Sequence, residues 1–267
     1  VLIDAFPYAY GPEVLLLRFR ELVDVVDLHV MVEADRTHTG VPRDFDWADL
    51  KELPEFAPFA HKVEWRGLTQ AKAFGSPWLA EEYLRSSCLL HAKNVAVSDD
   101  DVILLADHDE IPNPRALARV MDDGIGRARL WGSYHEWFLD LRASGSPGHI
   151  WEFRQPITLR AGDPAATGFE AGADLRALQW MGYSAVELGK EDSALRGWHM
   201  TLQGGAAAVR AKFRACAHTE LQRFTLEQIE LRIGRRLDIL DRCALVETGL
   251  LPQAAHDDYF KEMLCRS

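Results

Sequence analysis

Asp107-His108-Asp109-Glu110-Ile111-Pro112 is the string in this chain most able to do chemistry. In an extended turn, carboxylates at i and i+2 project to the same side, so Asp107 and Asp109 can meet one hard cation directly or through water. Three acids in four residues repel one another unless something positive sits among them. A Mn²⁺ or Mg²⁺ ion that keeps coordination positions open for diphosphate oxygens would satisfy them and neutralise an anionic ligand. The other reading is local: Asp107 and Glu110 cap a helix that starts near Pro114.

The elements around the string decide where it sits. Val102-Ile103-Leu104-Leu105-Ala106 is wholly apolar with charges on both sides, the pattern of a strand buried on both faces of a parallel sheet, and the acids follow it at once. Upstream, Val1 to Ile3 reads as a short strand ending at Asp4. Pro12 opens a helix with Leu15, Phe19, Leu22 and Val26 on one face. Leu28 to Val32 reads as a second strand ending at Glu33, Asp46 to Leu53 as a short helix and Lys62 to Trp65 as a third strand. Pro77 starts a long helix that runs to about Val97. Alternating strands and helices build an open sheet that binds ligands beyond the carboxyl ends of its strands, which singles out Asp4, Glu33 and Asp107.

From about Arg127 the texture changes to short aromatic strands: Leu130-Trp131, Tyr134, Trp137-Phe138, Ile150-Trp151, Ile157 to Leu159 and Trp180 to Val186. A turn is expected at Ser144 to Gly148. After Gly197-Trp198-His199, helices are expected over Ala206 to about Ala217, Thr225 to about Val246 and Ala254 to the end. The expected architecture is one α/β domain over 1–267. Its nucleotide-binding half spans about 1–126, and an acceptor half with a mixed sheet and a C-terminal helical extension spans about 127–267.

The acidic string resembles the D-x-D-E-I-P motif of glycosyltransferase family 17. Three further blocks resemble that family in order: Ile3-Asp4-Ala5-Phe6 with Glu13; Val32-Glu33-Ala34 with Thr37-His38-Thr39-Gly40; and Gly197-Trp198-His199 with Lys212 and His218. Trp78-x-x-Glu81-x-x-x-Arg85 is similar as well. The resemblance implies a GT-A-type, Rossmann-like nucleotide-sugar-binding fold, an inverting transfer from a nucleotide-diphosphate sugar, UDP-GlcNAc above all, and a divalent metal. It places Asp109, Asp107 and His199 at the metal. Asp4, Glu33, Thr37, His38, Gly40, Arg85, Asp107, Lys212 and His218 would lie along the donor. Each has a plainer reading as a cap, a surface ion pair, a loop residue or a buried structural histidine.

An inverting transfer also needs a carboxylate on the acceptor side to take the hydroxyl proton. Asp192 and Glu191, just before Gly197-Trp198-His199, are the candidates. Glu136, Asp140 and Glu170 compete with them, and no spacing rule decides. Trp131, Tyr134, Trp137 and Trp180 could stack on sugars or fill the core.

Composition trims the alternatives. The chain has 267 residues, 48% of them hydrophobic, with 41 acidic against 30 basic side chains. Disorder is excluded, and a net charge of −11 argues against nucleic acid as a partner. No run approaches the roughly 18 apolar residues of a membrane span. Cys88, Cys216, Cys243 and Cys265 are widely spaced, which suggests reduced thiols, and with no basic leader at the start a cytoplasmic setting is expected. The acceptor is left open among carbohydrate, peptide, lipid-linked and small-molecule classes. Two rival functions are a sugar nucleotidyltransferase, for which Ala5 to Tyr10 lacks a Gly-rich phosphate loop, and a non-catalytic carbohydrate-binding protein.

Overall fold

The computed structural model describes residues 1–69, 74–143, 152–153, 156–166, 185–240, 243–249 and 251–263. Expectations for Ser144 to Trp151, Glu170, Trp180 and Cys265 lie outside the described residues.

The strands are β1 Leu2–Tyr8, β2 Leu28–Ala34, β3 Val63–Leu68, β4 Val102–Leu105, β5 Glu110–Ile111, β6 Arg127–Leu130, β7 Gly132–Glu136, β8 Leu141–Ala143, β9 Glu152–Phe153, β10 Ile157–Arg160, β11 Val186–Leu188, β12 Gly197–Thr201 and β13 Leu245–Glu247. The helices are α1 Pro12–Leu22, α2 Trp47–Leu50, α3 Pro77–Val95, α4 Pro114–Asp122, α5 Gly205–Ala215 and α6 Leu226–Arg235.

A seven-stranded sheet has the order β11-β6-β10-β4-β1-β2-β3. β4, β1, β2 and β3 are parallel, whereas β10 runs antiparallel between β4 and β6, so the central sheet is mixed as expected. Alternation along the strands sorts the core. Ile3, Ala5, Val30, Val32, Ile103 and Leu105 pack on one face with Leu84, Cys88 and Ala92 of α3. Phe6, Tyr8 and Met31 face the other way, onto Leu15, Leu16 and Phe19 of α1. By the same period of two, Asp4, His29 and Glu33 point toward α1.

A second sheet, β13-β8-β7-β12-β5 with β9 on β7, leans on the first. β12 pairs antiparallel with β5 and sets His199 opposite Glu110. Gly197 makes this pairing possible: a Cβ there would lie 2.4 Å from the Ile111 carbonyl oxygen and 2.9 Å from Pro112 Cα. α5 and α6 close over this sheet through Val209, Phe213 and Ile229, with Phe224 of the segment between them.

Four expectations change. Trp137 and Phe138 lie in a bend between β7 and β8, with Trp137 at a left-handed φ of 70°, and not in a strand. β1 does not stop at Asp4 but pairs with β2 as far as Tyr8 opposite Glu33, which leaves Asp4 inside the sheet. The helix expected over Thr225 to Val246 ends at Arg235. Arg236 takes a left-handed φ of 52°, and the Asp238 carboxylate accepts the Cys243 backbone N–H at 3.1 Å, so the chain turns back into β13. The last segment forms short 3-10 turns over Gln253–His256 and Asp258–Met263 in place of a helix. Among the described residues no helix is long and apolar enough to cross a membrane.

Gly197→Ala tests the close approach of β12 to β5. The backbone clash is expected to cost about 1–3 kcal/mol, the usual range for overpacking, seen as a lower midpoint in urea. A midpoint equal to that of the unmodified chain would refute the close approach.

Candidate active site

The acidic turn is held from beneath by one side chain. Arg18 of α1 is fully buried and makes a forked pair with Asp4, Nε to Oδ2 at 2.8 Å and Nη2 to Oδ1 at 2.5 Å. Its remaining nitrogen, Nη1, donates to the carbonyls of Asp107 at 3.1 Å, His108 at 3.3 Å and Glu110 at 2.7 Å. His29 Nδ1 sits 2.8 Å from Asp4 Oδ2. Asp4 is therefore not presented to a ligand, because β1 carries on past it and both of its oxygens are engaged inside the protein. Burial alone would raise its pKa, but the charge of Arg18 and hydrogen bonds from Arg18 and His29 outweigh that and hold it at about 2.

The turn also closes on itself. Glu110 Oε2 accepts the Asp107 backbone N–H at 2.8 Å, and Asp107 O accepts the Glu110 N–H at 3.0 Å. Neither acid caps the following helix. That task falls to Asn113, whose Oδ1 accepts the Arg115 N–H at 2.9 Å.

Above the turn the two aspartates take different partners. Asp107 meets Arg85 of α3 through two bonds, 3.2 Å to Nε and 2.8 Å to Nη2, and Arg85 also reaches Glu81. Burial of Arg85 would weaken its hold on the proton, but Asp107 and Glu81 raise its pKa. Asp109 Oδ2 meets Lys212 Nζ of α5 at 2.9 Å and lies 3.6 Å from His199 Nε2 of β12. Burial opposes ionisation of Asp109, yet the charges of Lys212 and His199 hold its pKa well below the ordinary carboxyl range. Lys212 also bonds Thr201 Oγ1 at 3.1 Å and stands 4.9 Å over the Tyr10 ring. Tyr134 sets its ring edge-on to His199 at 5.1 Å.

The loop after β2 forms the neighbouring wall. Glu33 is buried as its anchor: it accepts from Arg43 at 2.9 Å, from the Asp46 and Trp47 N–H groups and from Trp65 Nε1. Like Asp4, it positions rather than contacts. Thr37 and Thr39 share a hydroxyl bond at 2.9 Å, Gly40 takes φ 84° in the turn, and Thr39 Oγ1 donates to the Arg214 carbonyl of α5 at 2.8 Å. His38 is desolvated there, with a pKa pushed down to about 4, and it feels the charges of Asp107, Arg85, Arg43 and Lys212. His218 stands further out, bonded to Glu220 at 2.7 Å and edge-on to Trp78 at 4.7 Å.

The structure does not gather every candidate. Asp192 is exposed and caps a short turn by accepting the Ala194 N–H at 3.0 Å. Glu191 is exposed beside it, and the loop is tied to the start of α4 by Asn113 Nδ2, which donates to the Ala194 and Arg196 carbonyls. Glu136 is buried and accepts the Ile239 N–H at 2.9 Å. Trp131 and Trp137 are buried, whereas Tyr134 reaches the cluster at His199.

Among the described residues no group of three His, Cys, Asp or Glu side chains is assembled that could hold a metal ion. Asp107 does not join Asp109 and His199, since Arg85 draws its carboxylate to α3. The donor chemistry nevertheless fits an open site: one carboxylate oxygen and one imidazole nitrogen, 3.6 Å apart, suit Mn²⁺ or Mg²⁺ that takes its other ligands from water and phosphate. Sequence reasoning missed Arg18 and Tyr10. Arg18 left a signal, because it interrupts the apolar stripe formed by Leu15, Phe19 and Leu22.

The cluster thus gathers acids, an imidazole and two cations beside the carboxyl end of β4 in a mixed α/β sheet. Residues 2–127 match the model of glycosyltransferase family 17. The β-1,4-mannosyl-glycoprotein 4-β-N-acetylglucosaminyltransferases of Homo sapiens and Rattus norvegicus are 31% identical over 163 residues, 59% of this chain. The chain spans 28% of the length of those relatives. Among solved structures, 4-diphosphocytidyl-2C-methyl-D-erythritol synthase shares 16% identity over 73% of this chain and 89% of its own, with a TM-score of 0.36. S. aureus TarS 1-349 shares 9% identity over 88% of this chain and 70% of its own, with a TM-score of 0.38.

Asp4→Asn is expected to lower stability by about 3–5 kcal/mol, the cost of leaving the buried Arg18 charge without its partner. The Asp4 pKa is depressed, so its contribution is present above about pH 4 and fades as pH falls toward about 2. Acid unfolding followed by circular dichroism should lose this component in the variant. An unchanged acid midpoint would remove Asp4 from that role.

Proposed function

We propose that this chain is a metal-dependent, inverting glycosyltransferase that moves a sugar, N-acetylglucosamine from UDP-GlcNAc, from a nucleotide-diphosphate donor to an acceptor hydroxyl. The observation that carries the reading is the meeting of Asp109, His199 and Lys212, which come from three separated segments. The match of residues 2–127 to glycosyltransferase family 17 and the activity for which the relatives are named support the choice of reaction and sugar.

Asp109 and His199 would hold the Mn²⁺ or Mg²⁺ ion. When bound, that ion supplies charge stabilisation to a departing diphosphate. Lys212 and Arg85 provide two cations within an acidic protein, where an anionic donor needs them, and a guanidinium matches phosphate oxygens in a fork. The loop of Thr37, His38 and Gly40 walls the donor, while Glu33 and Asp4 hold that wall and the acidic turn in place. The acceptor is a carbohydrate, peptide, lipid-linked or small-molecule hydroxyl. Its proton goes to Asp192 or Glu191, which are solvent-accessible carboxylates on the loop leading into the His199 strand.

Thermal shift with UDP-, GDP-, ADP-, CMP- and dTDP-sugars, each with Mn²⁺, Mg²⁺ or EDTA, tests the donor assignment. Stabilisation by UDP-GlcNAc that EDTA removes is the expected result, and Asp109→Asn should abolish it. No shift with any nucleotide sugar would defeat the reading. In transfer assays Asp192→Asn should keep donor affinity and lower turnover by roughly 10²-fold or more if Asp192 is the base. Unchanged turnover in both Asp192→Asn and Glu191→Gln would move the base elsewhere.

A further inference from the structure

Trp78 is a large aromatic that the core does not use. It follows Pro77 in the first turn of α3, where Ser76 caps the helix by accepting the Leu79 N–H at 3.2 Å, so its backbone is fixed. The residue is 45% exposed. The sheet-facing stripe of α3 is formed instead by Ala80, Leu84, Cys88 and Ala92.

Its position is not that of a stray surface residue. Trp78, Glu81 and Arg85 are spaced i, i+3 and i+7 and share one helical stripe. That stripe leads straight to the acidic turn, because Arg85 bonds Asp107 at 2.8 Å. At 1.5 Å rise per residue, Trp78 and Arg85 are about 10 Å apart along the axis, the span of a short oligosaccharide. Opposite Trp78 stands His218, with ring centroids 4.7 Å apart and planes at 83°. His218 ends the segment that carries Lys212 to Asp109, and its ring is 56% exposed and bonded to Glu220 at 2.7 Å.

The start of α3 and the segment after α5 thus meet at an aromatic corner beyond the charged cluster. An exposed indole beside an imidazole that is itself bonded to a carboxylate suits a pyranose: the sugar's C–H face covers the ring while its hydroxyls reach the polar neighbours. A phosphate has no use for the indole face, and Glu220 would repel it.

Resting on the glycosyltransferase reading, we propose that Trp78, with His218 and Glu220, forms a subsite that stacks a sugar ring of the acceptor at the outer end of the α3 stripe. Trp78 binds and orients, and takes no part in the chemical step.

Indole N–H resonances report on this directly. The chain has eight tryptophans, and the Trp78 signal is the one missing from a ¹H–¹⁵N spectrum of Trp78→Phe. Titration with the β-1,4-linked N-acetylglucosamine disaccharide and with mannobiose, without nucleotide, should move the Trp78 signal. Trp78→Ala should weaken disaccharide binding about tenfold, the scale of a lost aromatic contact, and Trp78→Phe should restore most of it. Binding of UDP-GlcNAc, measured in parallel, should be the same in all three proteins, which also shows that the variants fold.

A Trp78 signal that neither disaccharide moves overturns the proposal, as does unchanged disaccharide affinity in Trp78→Ala. A signal that moves with UDP alone overturns it too, by giving the ring to the nucleoside. If UDP-GlcNAc fails to bind the unmodified chain, the donor reading falls by itself, and the disaccharide titration still decides the subsite.

Discussion

Arg18 is the interaction on which the rest of the site depends. A guanidinium buried without solvent is tolerable only when its donors are all engaged, and here one fork grips Asp4 while the third nitrogen gathers three carbonyls of the acidic turn. That single side chain joins α1, β1 and the 107–110 turn, and through His29 it joins β2 as well. A lysine could neutralise Asp4 but has no planar fork with which to span both sides. The turn that carries Asp107 and Asp109 is held through its backbone oxygens by Arg18 and through Glu110 Oε2 by its own backbone, which leaves the two aspartate carboxylates for other partners.

With the backbone so fixed, the carboxylates are free to differ. Asp107 belongs to Arg85 on α3, and Asp109 to Lys212 and His199 on the second sheet and its following helix. A chain of net charge −11 thereby concentrates two cations at the one place where an anion is expected. The field of the whole molecule would repel a diphosphate, so local geometry must overcome it. The loop of Thr37 to Gly40 shares in this arrangement from the side, tied at Thr39 to the same helix that carries Lys212.

Much of this was legible in the residues. The apolar run from Val102 to Ala106 announced a buried strand, and Gly197-Trp198-His199, singled out by its motif, lies in the strand that pairs beside the acids. Asp4 and Glu33 were misplaced for a common reason: a carboxylate near a strand end reads as exposed unless its buried partner is known, and those partners, Arg18 and Arg43, come from other elements. The overlong helix after Thr225 failed because its stop lies in a left-handed Arg236 and in bonds made by Asp238, neither of which disturbs apolar periodicity. The aromatics from Trp131 to Trp137 could not be divided into core and cleft until the second sheet's faces were known.

The antiparallel insertion of β10 between β4 and β6 bears on how the molecule can be divided. The segment that matches the family ends at residue 127, yet β4, the strand that delivers the acidic turn, finds its outer neighbour only at residues 157–160. A fragment cut at the boundary of sequence likeness would expose the backbone donors and acceptors of its most apolar strand, an edge ready to pair with another copy. The stretch that matches the family and the stretch that completes the sheet are therefore different lengths of chain, and excising the first would leave an aggregation-prone edge.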